Sequence, residues 1–363
     1  NASACRADHR RFKSGPWLGI LRAPSHRVQY HERQRCRAPL QKYINRRMDP
    51  APTSRCGDDY RHPMATSTSN RPRRRSEATN GRTRTVSIAA DKQVAYSEYG
   101  DPDGRPVVFL HGTPGSRLLG RLFDADAQEH GVRLLAPDRP GYGRSTPWPD
   151  QSITDAETYV SAILDDADAG SASIVAFSGG SPYALATAAA RPDRVSRVDL
   201  VAGATPPHLS ETVPLTQRLL GRLASTTPTL LGVLFRGHAW LAHRRDPAFV
   251  VDQYTAGEAT GSIPQEVATV VQADFLEAFA HSRCGAVTDF QNVSTEWEIR
   301  FEDIDVPVHL WHGDRDTNVP ITDARRLETT LSTAHIHVLE GKDHLGTLLR
   351  AVPEALAAHR TET

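Results

Sequence analysis

The sequence predicts a doubly wound α/β domain: a mostly parallel sheet flanked by helices and interrupted by a helical insertion. Three observations carry that expectation. From residue 86 onward, short β-branched-rich apolar runs alternate with helix-length segments, as in a sheet buried on both faces. The alternation stops over residues 208–300 and resumes after them. Residues 1–85 show neither pattern.

The elements follow in order. "TVSIAADKQVAYSEYG" reads as two half-buried strands around a turn, with "DPDG" as the next turn. "PVVFLHG", "VRLLAPD", "SIVAFSG" and "VDLVAG" read as buried strands, with helices over 116–130, 152–170 and 181–191 between them. After "AGATPP", stretches such as "LTQRLLGRLA" and "PQEVATVVQADFLEAFA" are helical and no segment reads convincingly as a strand. "VPVHLWHGD" and "AHIHVLEG" then restore the sheet pattern. The expected division is therefore a core over 86–207 and 301–363 and a helical cap over 208–300. Inserts on such scaffolds tend to carry specificity.

Charge is divided unevenly. Residues 1–85 hold 20 Lys and Arg against 6 Asp and Glu, which leaves 23 against 37 for the rest of a 363-residue chain of zero formal net charge. A segment so polar cannot bury enough apolar surface to offset the entropy of ordering, and it is expected to be disordered. Met48 and Met64 precede the ordered pattern, and whether the segment is a native tail or an upstream extension stays open. "WLGIL" is too short for a secretory signal and no run of 18 apolar residues occurs, so no membrane span is expected. Such a basic segment can bind nucleic acid or anionic lipid, or serve as a transit peptide. Deleting it would separate that binding reading from an enzymatic one; no nucleic-acid partner is expected.

Cys5, Cys36 and Cys56 lie in the basic segment and Cys284 in the body, at spacings that fit neither a metal knuckle nor a disulfide framework. A body with one thiol suits a reducing cytoplasm, the expected location. Cys284 is expected to be packed or neutral. Neither a phosphate loop nor a dinucleotide fingerprint occurs, so the expected partner is a small-molecule substrate, with no metal and no cofactor. The oligomeric state is open.

One stretch carries chemistry. "IVAFSGGSPYALATAAA" sets Ser178 between an apolar run and an alanine-rich helix. Alone it supports only a turn. In context Ser178 stands at the carboxyl end of a strand, where open α/β sheets bind ligands. A nucleophile elbow needs small residues two before and two after the serine; here these are Ala176 and Gly180. A serine nucleophile also needs a base and an orienting acid. Asp316 and His344 follow the last two expected strands, in the required chain order. Asp314 competes with Asp316, His335 and His337 read as structural, Asp343 as a solvated loop acid and Ser181 as a capping or packing residue.

With these motifs in place, residues 86–360 resemble the α/β-hydrolase fold superfamily, in its capped, lipase- and esterase-like branch. The resemblance lies in "HGTPGSR", "DRPGYGRS", "FSGGSPYALA", "HGDRDTNVP" and "GKDH", in that order. It implies Ser178 as nucleophile, His344 as general base and acid, and Asp316 as the carboxylate that fixes the histidine. It implies an oxyanion hole from the backbone amides of Thr113 and Gly179, braced by His111, Gly112 and Gly180, with Pro114 shaping the loop. Asp138 reads as a loop scaffold, and a pair with Arg117 is left open. The implied reaction is hydrolysis of an ester, thioester or lactone through an acyl-enzyme, on a small hydrophobic substrate. C–C bond hydrolases and cofactor-free haloperoxidases keep the same three residues, whereas dehalogenase and epoxide hydrolase relatives use a carboxylate nucleophile. A non-catalytic binding protein of this fold would lack a triad member. The stripes "LLGRLA", "LLGVLF" and "FLEAFA" either line a pocket or pack helices together.

Overall fold

A computed structural model describes residues 81–210, 213–256 and 263–359. The expectations for the basic segment up to residue 80, including Cys5, Cys36 and Cys56, lie outside the described residues. Among the described residues eight strands form one sheet: β1 (Arg82–Ala89), β2 (Lys92–Gly100), β3 (Arg105–Leu110), β4 (Val132–Pro137), β5 (Ala172–Phe177), β6 (Val195–Val201), β7 (Val308–Gly313) and β8 (Ala334–Leu339). Their spatial order is β1-β2-β4-β3-β5-β6-β7-β8. β2 runs antiparallel to both neighbours, and every pairing from β4 to β8 is parallel. β1 begins at Arg82, ahead of the expected 86. Side chains account for the difference: Thr83 bonds Ser97 at 3.1 Å and Arg84 pairs with Glu98 at 3.3 Å, extending the ladder along a charged edge strand.

Ten helices accompany the sheet among the described residues. α1 (Asp124–His130), α2 (Ala156–Asp166) and α3 (Ser181–Ala190) fall between the early strands. The helix expected over 116–130 is divided: Arg117–Phe123 is a 3₁₀ run capped by the Ser116 hydroxyl, and α1 follows it. Between β6 and β7 lie α4 (Leu215–Thr226), α5 (Pro228–Ala242), α6 (Ala248–Val251), α7 (Gln265–Ala278) and α8 (Cys284–Val293). α9 (Ile321–Thr330) and α10 (His344–Ala358) flank β8. Cys284 is buried, as expected of a packed residue, but it is disulfide-bonded, which corrects the expectation of a lone thiol: cysteine spacing in the sequence does not record which sulfurs the fold brings together. No helix among the described residues is long and apolar enough to cross a membrane.

Strand alternation divides the core into two layers. Val107, Phe109, Val175 and Phe177 face one side with α1, α10 and α7 of the insertion. Val108, Leu110, Ile174 and Ala176 face the other with α2 and α3. Every residue of β5 is buried, which is why its sequence is an unbroken apolar run. Each large aliphatic side chain so placed stabilises the fold by about 1.5–3 kcal/mol. A fully buried strand thus leads directly into Ser178.

Candidate active site

Ser178 leaves β5 with φ +49°, in the left-handed region that a non-glycine residue adopts only under constraint. A three-residue 3₁₀ turn, Ser178–Gly180, passes directly into α3, whose first turn accepts Pro182 without losing a helical hydrogen bond. Packing fixes the two glycines. A Cβ on Gly179 would come within 2.3 Å of Thr113 Oγ1, and one on Gly180 within 2.7 Å of the Leu110 carbonyl oxygen. Ala176, the small residue two before the serine, keeps its ladder pairings with Leu110 and Leu200 and is fully buried. Ser181 is buried against Gly203, a packing position.

His344 begins α10, and its Nδ1–H donates to Asp316 Oδ2 at 2.7 Å. Asp316 Oδ1 accepts the backbone N–H groups of Asn318 at 2.8 Å and Val319 at 3.0 Å, so both carboxylate oxygens are held. Burial pushes the Asp316 carboxyl up, but the charge and hydrogen bond of His344, with His312 and the Val319 N–H, hold it below the ordinary carboxylate value. Asp314 is exposed and accepts from the Gly341 N–H at 2.6 Å, away from His344. The rings of Phe177 and Tyr254 lie against His344, at centroid distances of 4.8 and 6.3 Å.

Asp343, expected as a solvated loop acid, is buried: Oδ1 caps α10 through the Gly346 N–H and Oδ2 accepts the Ala256 N–H of the insertion. Its carboxylate is occupied by orphan backbone donors rather than by water. His335 and His337 lie in β8, where His337 stacks on Trp311 and meets His309 Nδ1 at 3.0 Å, a packing role.

The loop after β3 is held from several sides. The Arg139 N–H donates to His111 Nε2 at 3.1 Å, so His111 carries its proton on Nδ1 and gives it to the Gly112 carbonyl at 2.8 Å. Burial first, and then the charge of Arg139, push this imidazole well below its ordinary pKa, keeping it neutral. Arg117 does pair with Asp138, at 2.7 Å, and both side chains are almost fully buried.

Three carboxylates of the insertion that the sequence did not mark as functional reach the same loops. Asp289 of α8 accepts four donors: Thr113 Oγ1, Tyr142 OH and Tyr183 OH at 2.6 Å each, and Arg139 Nη1 at 2.8 Å. Asp274 of α7 accepts the Ser116 N–H, the Ser116 hydroxyl and the Leu119 N–H on Oδ1. Glu277 bonds Arg117 beside Asp138. Asp289 lies 176 residues from Thr113, and no local motif announces the pairing.

Thr113, Ser178, Gly179 and His344 line a cavity of about 1300 Å³ whose far walls include Leu231, Phe235 and Phe290 of the insertion. Sheet order, strained elbow and buried Asp–His pair together define a doubly wound α/β enzyme scaffold. The alpha/beta hydrolase fold family model matches residues 105–346, and the chain belongs to that family. A non-heme chloroperoxidase of Streptomyces lividans is 33% identical over 291 residues, spanning 75% of this chain and 96% of that protein. The enol-lactonase of Burkholderia xenovorans LB400 superposes with a TM-score of 0.59 at 18% identity, over 76% of this chain and 100% of its own. An esterase from Exiguobacterium antarcticum gives a TM-score of 0.60 at 17% identity, over 77% of this chain and 99% of its own. At those identities the two structures speak for the fold alone.

Proposed function

We propose that the protein is a serine hydrolase that cleaves an ester-type bond of a small hydrophobic substrate through an acyl-enzyme. The observation that carries the reading is the 2.7 Å Asp316–His344 hydrogen bond, buried on the cavity that Ser178 enters from a strained turn. In this mechanism His344 Nε2 takes the Ser178 hydroxyl proton as Oγ attacks the acyl carbon, and later passes it to the leaving oxygen. Asp316 holds the imidazole in the tautomer that leaves Nε2 free to accept. The N–H groups of Thr113 and Gly179 receive the oxyanion; Thr113 N lies 3.3 Å from the point a Gly179 Cβ would occupy, so the two residues adjoin. His111, Gly112 and Gly180 brace that hole. The helices between β6 and β7 act as a cap, and their leucine and phenylalanine side chains favour a hydrophobic acyl or alcohol group.

A second reading, a cofactor-free haloperoxidase, is favoured by the likeness to the Streptomyces lividans enzyme. It keeps the same three residues, and a halogenation assay with peroxide and halide separates the two. The direct test is a panel of p-nitrophenyl esters of increasing chain length, with labelling by a fluorophosphonate. The wild type is expected to turn over the panel and to be labelled at Ser178, with both lost in Ser178→Ala. A wild type that hydrolyses none and stays unlabelled would overturn the proposal.

A further inference from the structure

Of the eight most exposed large apolar side chains among the described residues, seven lie between positions 213 and 240. They are not scattered. On α4, Leu215 and Leu219 are one turn apart, at 78% and 56% exposure. On α5, Leu230, Val233, Leu234 and Trp240 follow a spacing of three and four residues that keeps them on one face, with the bare Gly237 in line between them. A soluble surface rarely carries so contiguous an apolar stripe without a partner.

The charge around the stripe indicates the partner. Residues 213–245 contain five arginines and not one Asp, Glu or Lys. Arg218, Arg222, Arg236, Arg244 and Arg245 are all exposed, and the Arg244 guanidinium lies 4.0 Å from the ring centre of Trp240. A second copy of this chain meeting the face symmetrically would set arginine against arginine. An anionic lipid surface satisfies both features, taking the apolar stripe below the headgroups and the arginines among the phosphates.

We infer that the α4–α5 face docks on an anionic membrane surface. The face is also a rim of the Ser178 cavity, because Val213, Arg218, Arg222, Val233 and Leu234 line that cavity as well. Substrate therefore enters from the lipid side, as an acyl ester dissolved in or borne by the bilayer. This last step rests on the hydrolase reading; the docking does not.

The test uses the full chain and sedimentation with vesicles of phosphatidylcholine alone or mixed with phosphatidylglycerol. Wild type is expected to sediment with the mixed vesicles and not with phosphatidylcholine alone. The double variant Leu219→Glu/Trp240→Glu should lose binding by about tenfold or more, because two anchors become charges of the wrong sign. Arg236→Glu/Arg244→Glu should lose it comparably and flatten the salt dependence. None of these four side chains lines the cavity, so fluorophosphonate labelling and turnover of a water-soluble ester should stay at the wild-type level. Residues 1–85 are common to wild type and variants, so their own attraction to anionic lipid cancels in the comparison. Three results overturn the inference: a wild type that ignores anionic vesicles, an affinity unchanged in both double variants, or a wild-type dimer that the same substitutions split. Labelling of Ser178 reads the hydrolase proposal separately, so the failure of one is distinguishable from the failure of the other.

Discussion

The sheet edge and the insertion both send carboxylates to the candidate site, and they hold them differently. Asp316 follows β7, and its partners are one imidazole and two backbone N–H groups from its own loop. Asp289 belongs to α8, and its partners are four side chains drawn from the β3 loop, the β4 loop and α3. The first arrangement orients a single imidazole. The second ties three segments together and touches the proposed chemistry only through Thr113. The proposed chemistry thus belongs to the sheet and its positioning to the insertion. One should fail abruptly on substitution and the other by degrees.

The largest effect is expected at Asp316. Asp316→Asn keeps the shape but removes the acceptor that fixes the His344 tautomer, and ester kcat should fall by about 10⁴-fold. The neighbouring Asp314→Asn, at an exposed acid bonded only to the Gly341 N–H, should leave kcat within about twofold. If Asp314→Asn does the damage instead, the acid has been misassigned.

A smaller effect is expected on the insertion side of the comparison. Thr113→Val deletes the hydroxyl that Asp289 receives at 2.6 Å and leaves the Arg139–Asp289 ion pair intact. The Thr113 N–H survives but is less firmly aimed, so kcat should fall by about tenfold, short of the 10²–10³ typical of deleting an oxyanion donor outright. KM should change little, and Thr113→Ser should restore the rate. A loss confined to KM would instead place Thr113 in ground-state binding.

These two sides were unequally legible in the sequence. Asp316 and His344 could be named because strand ends lie in a fixed chain order and a β-branched apolar run marks where each strand stops. Ser178 could be named because the elbow confines residue size over five positions. Asp289, Asp274 and Glu277 sit mid-helix, where a carboxylate usually faces water, and their partners lie more than 100 residues away. Asp343 was misjudged for the same reason, since only the folded chain brings the Ala256 N–H to it. The fold class followed from periodicity, while the 3₁₀ run before α1 and the early start of β1 depended on side-chain bonds that periodicity does not record.

The buried carboxylates of the two regions should also titrate in opposite directions. Burial pushes Asp316 up, but its pairing with His344 and its backbone donor hold it below its ordinary value, whereas Asp274 accepts only from Ser116 and Leu119, and burial first of all lifts its pKa from 3.8 to about 8. Between those two values the folded chain keeps a proton on Asp274 that the unfolded chain has released. Stability must therefore fall as pH rises through this window, by up to about 1.4 kcal/mol per pH unit from this one group. Asp274→Asn preserves the acceptor facing Ser116 and Leu119 but has no proton to lose. Urea denaturation of both proteins at a series of pH values isolates the group, because Asp316 and every other titrating residue cancel in the difference. The variant's advantage should grow from about pH 4 to about pH 8 and then level off, once the carboxylate is ionised in both states. Parallel curves would mean that Asp274 is already ionised in the folded chain, with its three donors compensating burial in full. In that case the insertion would grip the Ser116 loop through a charge, as the sheet edge grips His344.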